Sequence, residues 1–214
     1  MFFQDRKQAG EKLAQELSAL NLTNAVVLAI PREGVAVASP VAKALACPFD
    51  VIPMMKIPIP WSREASYGVV AMDGTKVWNR PLMNRLDLSE RELEMAAVAV
   101  IEEAKRREHI YRQGRSFPQL DDKTVVLIDD GLGSGYSMLA AVNFTKKRNP
   151  HSIIVAAPVI SDIARRLLAA EQGIDRIVGL VHDAEQFFSL DSYFRDYAFM
   201  SDEDVIRELE YPAP

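Results

Sequence analysis

Asp129 and Asp130 stand side by side after the apolar run TVVLI (124–128), and the residues that follow, GLGSGYS (131–137), are mostly glycine and serine. Adjacent carboxylates accept short, charge-assisted hydrogen bonds from hydroxyl groups. A glycine-rich loop that opens into a helix presents free backbone N–H groups to an anion, and the Ser134 and Ser137 hydroxyls can add donors. Two carboxylates beside a pyrophosphate would repel it, whereas beside a sugar they would bind its hydroxyls. The pattern therefore points to vicinal hydroxyls next to a monophosphate, which describes a ribose 5-phosphate. Other phosphate motifs fit less well. The GxxxxGK[ST] loop needs a lysine that is missing here, and the dinucleotide GxGxxG follows its strand at once, whereas this GxGxG follows two acids. An ordinary strand-to-helix turn needs no such run of small residues.

Such a site needs a scaffold that brings a strand end and a helix start together, as an open parallel sheet does at the carboxyl ends of its strands. Short apolar runs recur at 26–30, 49–55, 125–128, 152–158 and 176–181, and most are separated by helical stretches at about 40–45, 89–111, 137–147 and 162–171. This alternation predicts an α/β fold with a parallel sheet flanked by helices. The chain opens with an amphipathic helix over about 5–20, with Ala9, Leu13, Leu17 and Leu20 on one face. Ser89 and Glu92 form a capping-box pattern before a helix whose face carries Leu93, Ala97, Val100, Ile101 and Ala104, and Ser201 with Asp204 repeats the pattern near the C-terminus. Residues 68–79 read as a β-hairpin turning at Asp73-Gly74.

With 214 residues, 49% of them hydrophobic and 26% charged, the chain is long enough for one sizeable core. A net charge of −5 argues against a nucleic-acid or anionic-membrane surface, so an anionic ligand must be held locally. Lys146, Lys147 and Arg148 are expected to form a solvated helix C-terminus. There is no signal-like N-terminus and no apolar stretch of about 18 residues, so a cytoplasmic protein is expected. The single cysteine, Cys47, reads as inert and buried. With His109, His151 and His182 far apart, no protein metal cluster is expected.

The segment VVLIDDGLGSGYS resembles the signature of the type I phosphoribosyltransferases, an apolar strand, two acids and a T-G-x-T loop, with Ser134 and Ser137 in the threonine places. Within that family the chain is similar to a group of phosphoribosyltransferase-domain proteins from bacteria and archaea. That similarity runs from about residue 5 to 205, through DRKQAGEKLAQEL, AIPREGVAVA (29–38), KIPIPWSREASYGVVAMDG (56–74), RREHIYRQGR (106–115) and FFSLDSYFRDYAFMSDEDV (187–205).

The resemblance implies a single domain over 1–214 with a C-terminal hood or tail at 182–214. It implies transfer of ribose 5-phosphate from phosphoribosyl pyrophosphate to a nucleobase-like acceptor, with Mg²⁺ held mainly by ligand oxygens and water. Pro31, Arg32, Glu33 and Gly34 match the pyrophosphate loop, with Glu33 in place of a usual glycine and its side chain expected to turn away. Lys56 matches the lysine at the base of a catalytic loop spanning about 57–67, where Met55, Pro58 and Trp61 depart from the usual residues while Glu64 and Gly68 match. Arg32, Lys56, Asp129 and Asp130 are thus the implied catalytic residues. Gly131, Leu132, Gly133, Ser134, Gly135, Tyr136 and Ser137 would complete the sugar-phosphate loop.

The hood would bring Phe187, Phe188 and Tyr193 near the base, as hood core rather than base contacts, with Asp191 replacing the family's glycine. Gly133 stands where 6-oxopurine enzymes carry an aspartate, which disfavours hypoxanthine or guanine and leaves adenine, a pyrimidine or another acceptor open. An oligomer of identical chains is compatible with all of this. The alternative reading is a sensor that binds nucleotide or phosphoribosyl pyrophosphate without turnover, since Glu33, Met55 and Asp191 weaken only the catalytic half. A different ribose-phosphate reaction, phosphorolysis or hydrolysis, is a third reading.

Overall fold

A computed structural model describes residues 2–59, 62–86, 90–185 and 188–210. Its main sheet has five parallel strands in the order β2-β1-β6-β7-β8: β1 (Ala25–Ala29), β2 (Phe49–Val51), β6 (Thr124–Ile128), β7 (Ser152–Ser161) and β8 (Arg176–Asp183). A second, antiparallel sheet holds β3 (Met54–Ile59), β4 (Ser62–Ala71) and β5 (Lys76–Trp78). The helices are α1 (Arg6–Ser18), α2 (Gly34–Leu45), α3 (Arg80–Leu86), α4 (Glu90–Arg112), α5 (Tyr136–Lys146), α6 (Asp162–Ala169) and α7 (Asp202–Leu209).

The central strands are apolar on both faces because both faces are covered. Val125, Leu127, Ile153 and Val155 pack beneath α5, α6 and the second sheet, while Val27, Val126, Ile128 and Ile154 meet α1, α2 and α7. Register is fixed pair by pair, with Leu28 opposite Leu127 and Leu127 opposite Val155, so the carboxyl ends of β1, β6 and β7 finish close together. α1 lies so close to α2 that a Cβ on Gly10 would stand 2.4 Å from the Val37 carbonyl oxygen. Cys47 is buried as expected, and burial pushes its thiol up to about 11.

Three expectations change. The run FDVIPMM is not one strand: it breaks at Ile52-Pro53, and its halves belong to different sheets. α2 starts at Gly34 rather than near Pro40, and Pro40 is accommodated inside it because Val35, Val37, Ala38 and Val41 are buried against the sheet. The basic cluster after α5 is not merely solvated. Lys147 Nζ donates to Thr75 Oγ1 at 2.7 Å, and Arg148 donates to Asp73 Oδ2 at 3.2 Å while lying 3.5 Å over the Phe144 ring. The cluster thereby ties the Asp73-Gly74 turn to α5. The Ser201–Asp204 capping box is present, whereas Ser89 and Trp61 lie outside the described residues.

Candidate functional site

β6 ends at Ile128, and the chain turns through Asp129 and Asp130 into α5. This turn is fastened to the end of β7. Leu132 N–H donates to Val159 O and Ser161 N–H to Leu132 O, both at 2.9 Å, and Ser161 Oγ donates to Gly133 O at 2.5 Å. Gly135 takes φ +80°, a left-handed conformation that glycine adopts without penalty. It offers α5 no side-chain cap, so the N–H groups of the first helical turn face outward unclaimed by a side chain. α2 begins the same way, with Glu33 at its cap position making no capping bond. Two helix N-termini thus border one cavity of about 640 Å³.

The predicted residues converge on that cavity. Pro31, Arg32 and Glu33 line it after β1, Lys56 lines it from β3, and Asp129, Asp130, Gly131, Leu132, Gly133, Ser134, Gly135 and Ser137 line it from the acidic loop. Gly34 does not line it but permits it, since a Cβ there would stand 3.0 Å from Asp129 Oδ1 and 3.1 Å from Asp129 Cα. Tyr136 does not line it; its partly buried side chain packs against the core. The peptide bond between Pro31 and Arg32 is cis. The described part of the segment expected as a catalytic loop lies on the antiparallel β3–β4 pair, in which β3 reaches Ile59 and β4 starts at Ser62.

The two carboxylates differ in surroundings. Asp129 is half-buried, and its Oδ1 accepts the Asp130 N–H at 2.9 Å. Asp130 is buried, and its Oδ2 accepts from Arg6 Nε at 2.8 Å. Burial, then the Asp130 charge, pushes the Asp129 carboxyl well above its ordinary range. Burial also raises Asp130, opposed by the Arg6 guanidinium. Glu33 lines the cavity, and its negative charge adds to the upward push on both aspartates and on Tyr197.

Cations oppose them. Arg32 Nη1 lies 3.9 Å from Asp202 Oδ1, the atom that also accepts the Tyr111 hydroxyl at 2.6 Å. Arg107 on α4 lines the cavity and donates to Glu103 at 2.9 Å. Sequence reasoning missed Arg107, although it lies one helical turn before the buried Tyr111 and within the recognised segment 106–115. It also missed Arg6, Tyr197 and Phe199, for the chain positions between α1 and the C-terminal segment gave no sign that they meet. Phe3 N–H donates to Tyr193 O at 2.8 Å and Arg195 N–H to Phe3 O at 3.0 Å, which joins the two ends of the chain beside the site.

The C-terminal segment covers the loop. A Cβ on Gly131 would stand 2.3 Å from Leu190 Cδ1, and one on Gly133 would stand 3.1 Å from Phe188 Cδ1, so both positions are small because side chains rest on them. Tyr193 packs in the apolar cluster with Phe3 and Phe194, and burial with a hydrogen bond to Asp183 pushes its hydroxyl up to about 12. Phe187 lies outside the described residues.

A five-stranded parallel sheet flanked by helices, with a small antiparallel sheet beside it, is the type I phosphoribosyltransferase fold. Residues 76–187 match the phosphoribosyl transferase domain family, and the chain belongs to it. A Mycobacterium tuberculosis (strain H37Rv) protein named as a putative phosphoribosyl transferase is 31% identical over 209 residues, 97% of this chain and 46% of that one. The chain therefore spans about half the length of the curated relatives it matches. The crystal structure of TT1426 from Thermus thermophilus superposes with a TM-score of 0.79 at 33% identity, covering 98% of each chain. The AQ2163 protein of Aquifex aeolicus shares the fold, with a TM-score of 0.53 at 12% identity over 85% of this chain and 77% of that one. Among the described residues no helix is long and apolar enough to cross a membrane.

Proposed function

We propose that the chain transfers ribose 5-phosphate from phosphoribosyl pyrophosphate to a nucleobase or similar acceptor and releases pyrophosphate. The observation that carries this reading is the pairing, across one cavity, of an acidic loop running into the uncapped α5 with the Arg32 loop running into the uncapped α2. The α5 amides with Ser134 and Ser137 would hold the 5-phosphate, and Asp129 and Asp130 the ribose hydroxyls. Arg32, Lys56 and Arg107 would stabilise the charge of departing pyrophosphate, which is the positioning and electrostatic logic of group transfer. The described part of 182–214 would act as the hood of a single domain over 1–214, with Phe188, Tyr197 and Phe199 bordering the acceptor.

Mg²⁺ fits this arrangement. It binds through one or two carboxylates plus substrate phosphates, and among the described residues no group of three or more metal-binding side chains exists to hold an ion alone. Asp129 and Asp130 would hold it through water, and it would supply charge neutralisation at the pyrophosphate.

One observation favours a second reading, a nucleotide or phosphoribosyl pyrophosphate sensor without turnover: the acidic residue Glu33 lines the cavity beside Arg32. A nucleobase panel scored for Mg²⁺-dependent pyrophosphate release separates the two. Release with one base establishes the transferase and names its acceptor, while ligand binding with no release by any base establishes the sensor.

A further inference from the structure

We infer that Arg6, on the first turn of α1, is a positioning residue that acts through Asp130 and makes the two aspartates unequal. The inference rests on the sugar-phosphate reading of the acidic loop.

Arg6 is 4% exposed and is tied both to the acidic loop and to the C-terminal segment. Nε donates to Asp130 Oδ2 at 2.8 Å, Nη1 donates to the Ala198 carbonyl oxygen at 2.6 Å, and the guanidinium carbon lies 4.1 Å from the centre of the Tyr197 ring. The planar fork therefore fixes the orientation of one site carboxylate and, at the same time, the seat of the segment that carries Tyr197 and Phe199 to the cavity. Lysine offers no such rigid fork. Nη2 is buried without a hydrogen-bond partner among the described residues, which costs stability. An arrangement kept for packing alone would have little use for a buried guanidinium with an idle nitrogen.

The consequence is a division of labour. Asp130 has one oxygen committed to Arg6 and is buried, so it serves as a fixed, neutralised anchor at the edge of the ribose subsite. Asp129 has no cationic partner among the described hydrogen bonds and ion pairs, its Oδ1 accepting only the Asp130 N–H among them, and it is the carboxyl group left to meet a hydroxyl. Arg6 also links the acidic loop to the cover, so the ribose subsite and the acceptor side are set by one side chain.

The test is a double-mutant cycle in affinity for phosphoribosyl pyrophosphate with Mg²⁺, measured by titration calorimetry on the full chain. Arg6→Met and Arg6→Gln are each compared with Asp130→Asn and with the corresponding double variant, and Arg6→Lys is the conservative control. Two neutral substitutions are used so that one that fails to fold leaves the other to be read. The expected result is a loss of about 10–100-fold on neutralising Arg6, the range typical of residues that orient a ligating side chain. Arg6→Lys should recover part of it, and little further loss should appear in the Asp130→Asn background. Unchanged affinity in a folded Arg6→Met or Arg6→Gln variant, or losses that simply add, would overturn the role while leaving the site reading intact. Failure of the unaltered protein to bind would overturn both together.

Discussion

Arg6 and Asp130 lie 124 positions apart in the chain and form a buried ion pair, Nε to Oδ2, of 2.8 Å. The contact makes the N-terminal helix part of the acidic loop's environment, although the family match begins only at residue 76. A truncated chain holding the matched region alone would lose Arg6, Arg32 and Lys56 together.

Asp129 is held at a cost to the ligand-free fold. Its folded pKa lies above its unfolded one, so between those two values the folded state keeps a proton that the unfolded state has released. Stability therefore falls as pH rises from the ordinary carboxylate range through the raised value. Asp129→Asn should raise the melting temperature at neutral pH, by about 2–4 °C per kcal/mol recovered, and flatten the decline with pH, while abolishing phosphoribosyl pyrophosphate binding. Calorimetric scans across about pH 4–8 check this, and an unchanged pH slope would contradict it.

Tyr111 and Arg32 share Asp202 but should behave differently on substitution. Tyr111→Phe removes a 2.6 Å hydrogen bond from a fully buried ring and should cost about 0.5–1.5 kcal/mol of stability in a urea unfolding curve. Arg32→Ala breaks only a 3.9 Å, partly exposed ion pair and should leave the curve nearly unmoved. It should instead weaken pyrophosphate-bearing ligands much more than ribose 5-phosphate, a contrast that competition binding reads directly.

Glycines at two positions predict a similar separation. Gly135→Ala forces a left-handed conformation on alanine and sets its Cβ 3.1 Å from the Ala164 Cα, so it should cost about 1–3 kcal/mol and weaken ribose 5-phosphate binding by shifting the start of α5. Gly10→Ala would collide with the Val37 carbonyl between α1 and α2 and should destabilise without altering affinity in the fraction that remains folded. Equal effects on binding would contradict the assignment of the phosphate to the α5 N-terminus.

What could be read from the sequence follows from where the information lies. The parallel strands were legible because burial on both faces leaves continuous apolar runs, and 125–128 and 176–181 fall within β6 and β8. The acidic loop was legible because its chemistry is contiguous. The division of FDVIPMM between two sheets was not, since Ile52-Pro53 interrupts the ladder without interrupting the hydrophobic pattern. Arg6, Arg107 and Tyr197 were not legible as site residues for another reason: they sit on amphipathic or aromatic stretches whose local pattern is satisfied, and only the tertiary fold brings Arg107 and Tyr197 to the cavity and Arg6 to Asp130.

The central claim is that the acidic loop binds a sugar phosphate, and titration of the purified protein with phosphoribosyl pyrophosphate and Mg²⁺, beside the Asp129→Asn/Asp130→Asn double variant, tests it most directly. Saturable, Mg²⁺-dependent binding that disappears in the double variant is the predicted result. Undiminished binding by the double variant, or no binding of phosphoribosyl pyrophosphate or of any nucleoside monophosphate by the unaltered protein, would contradict it.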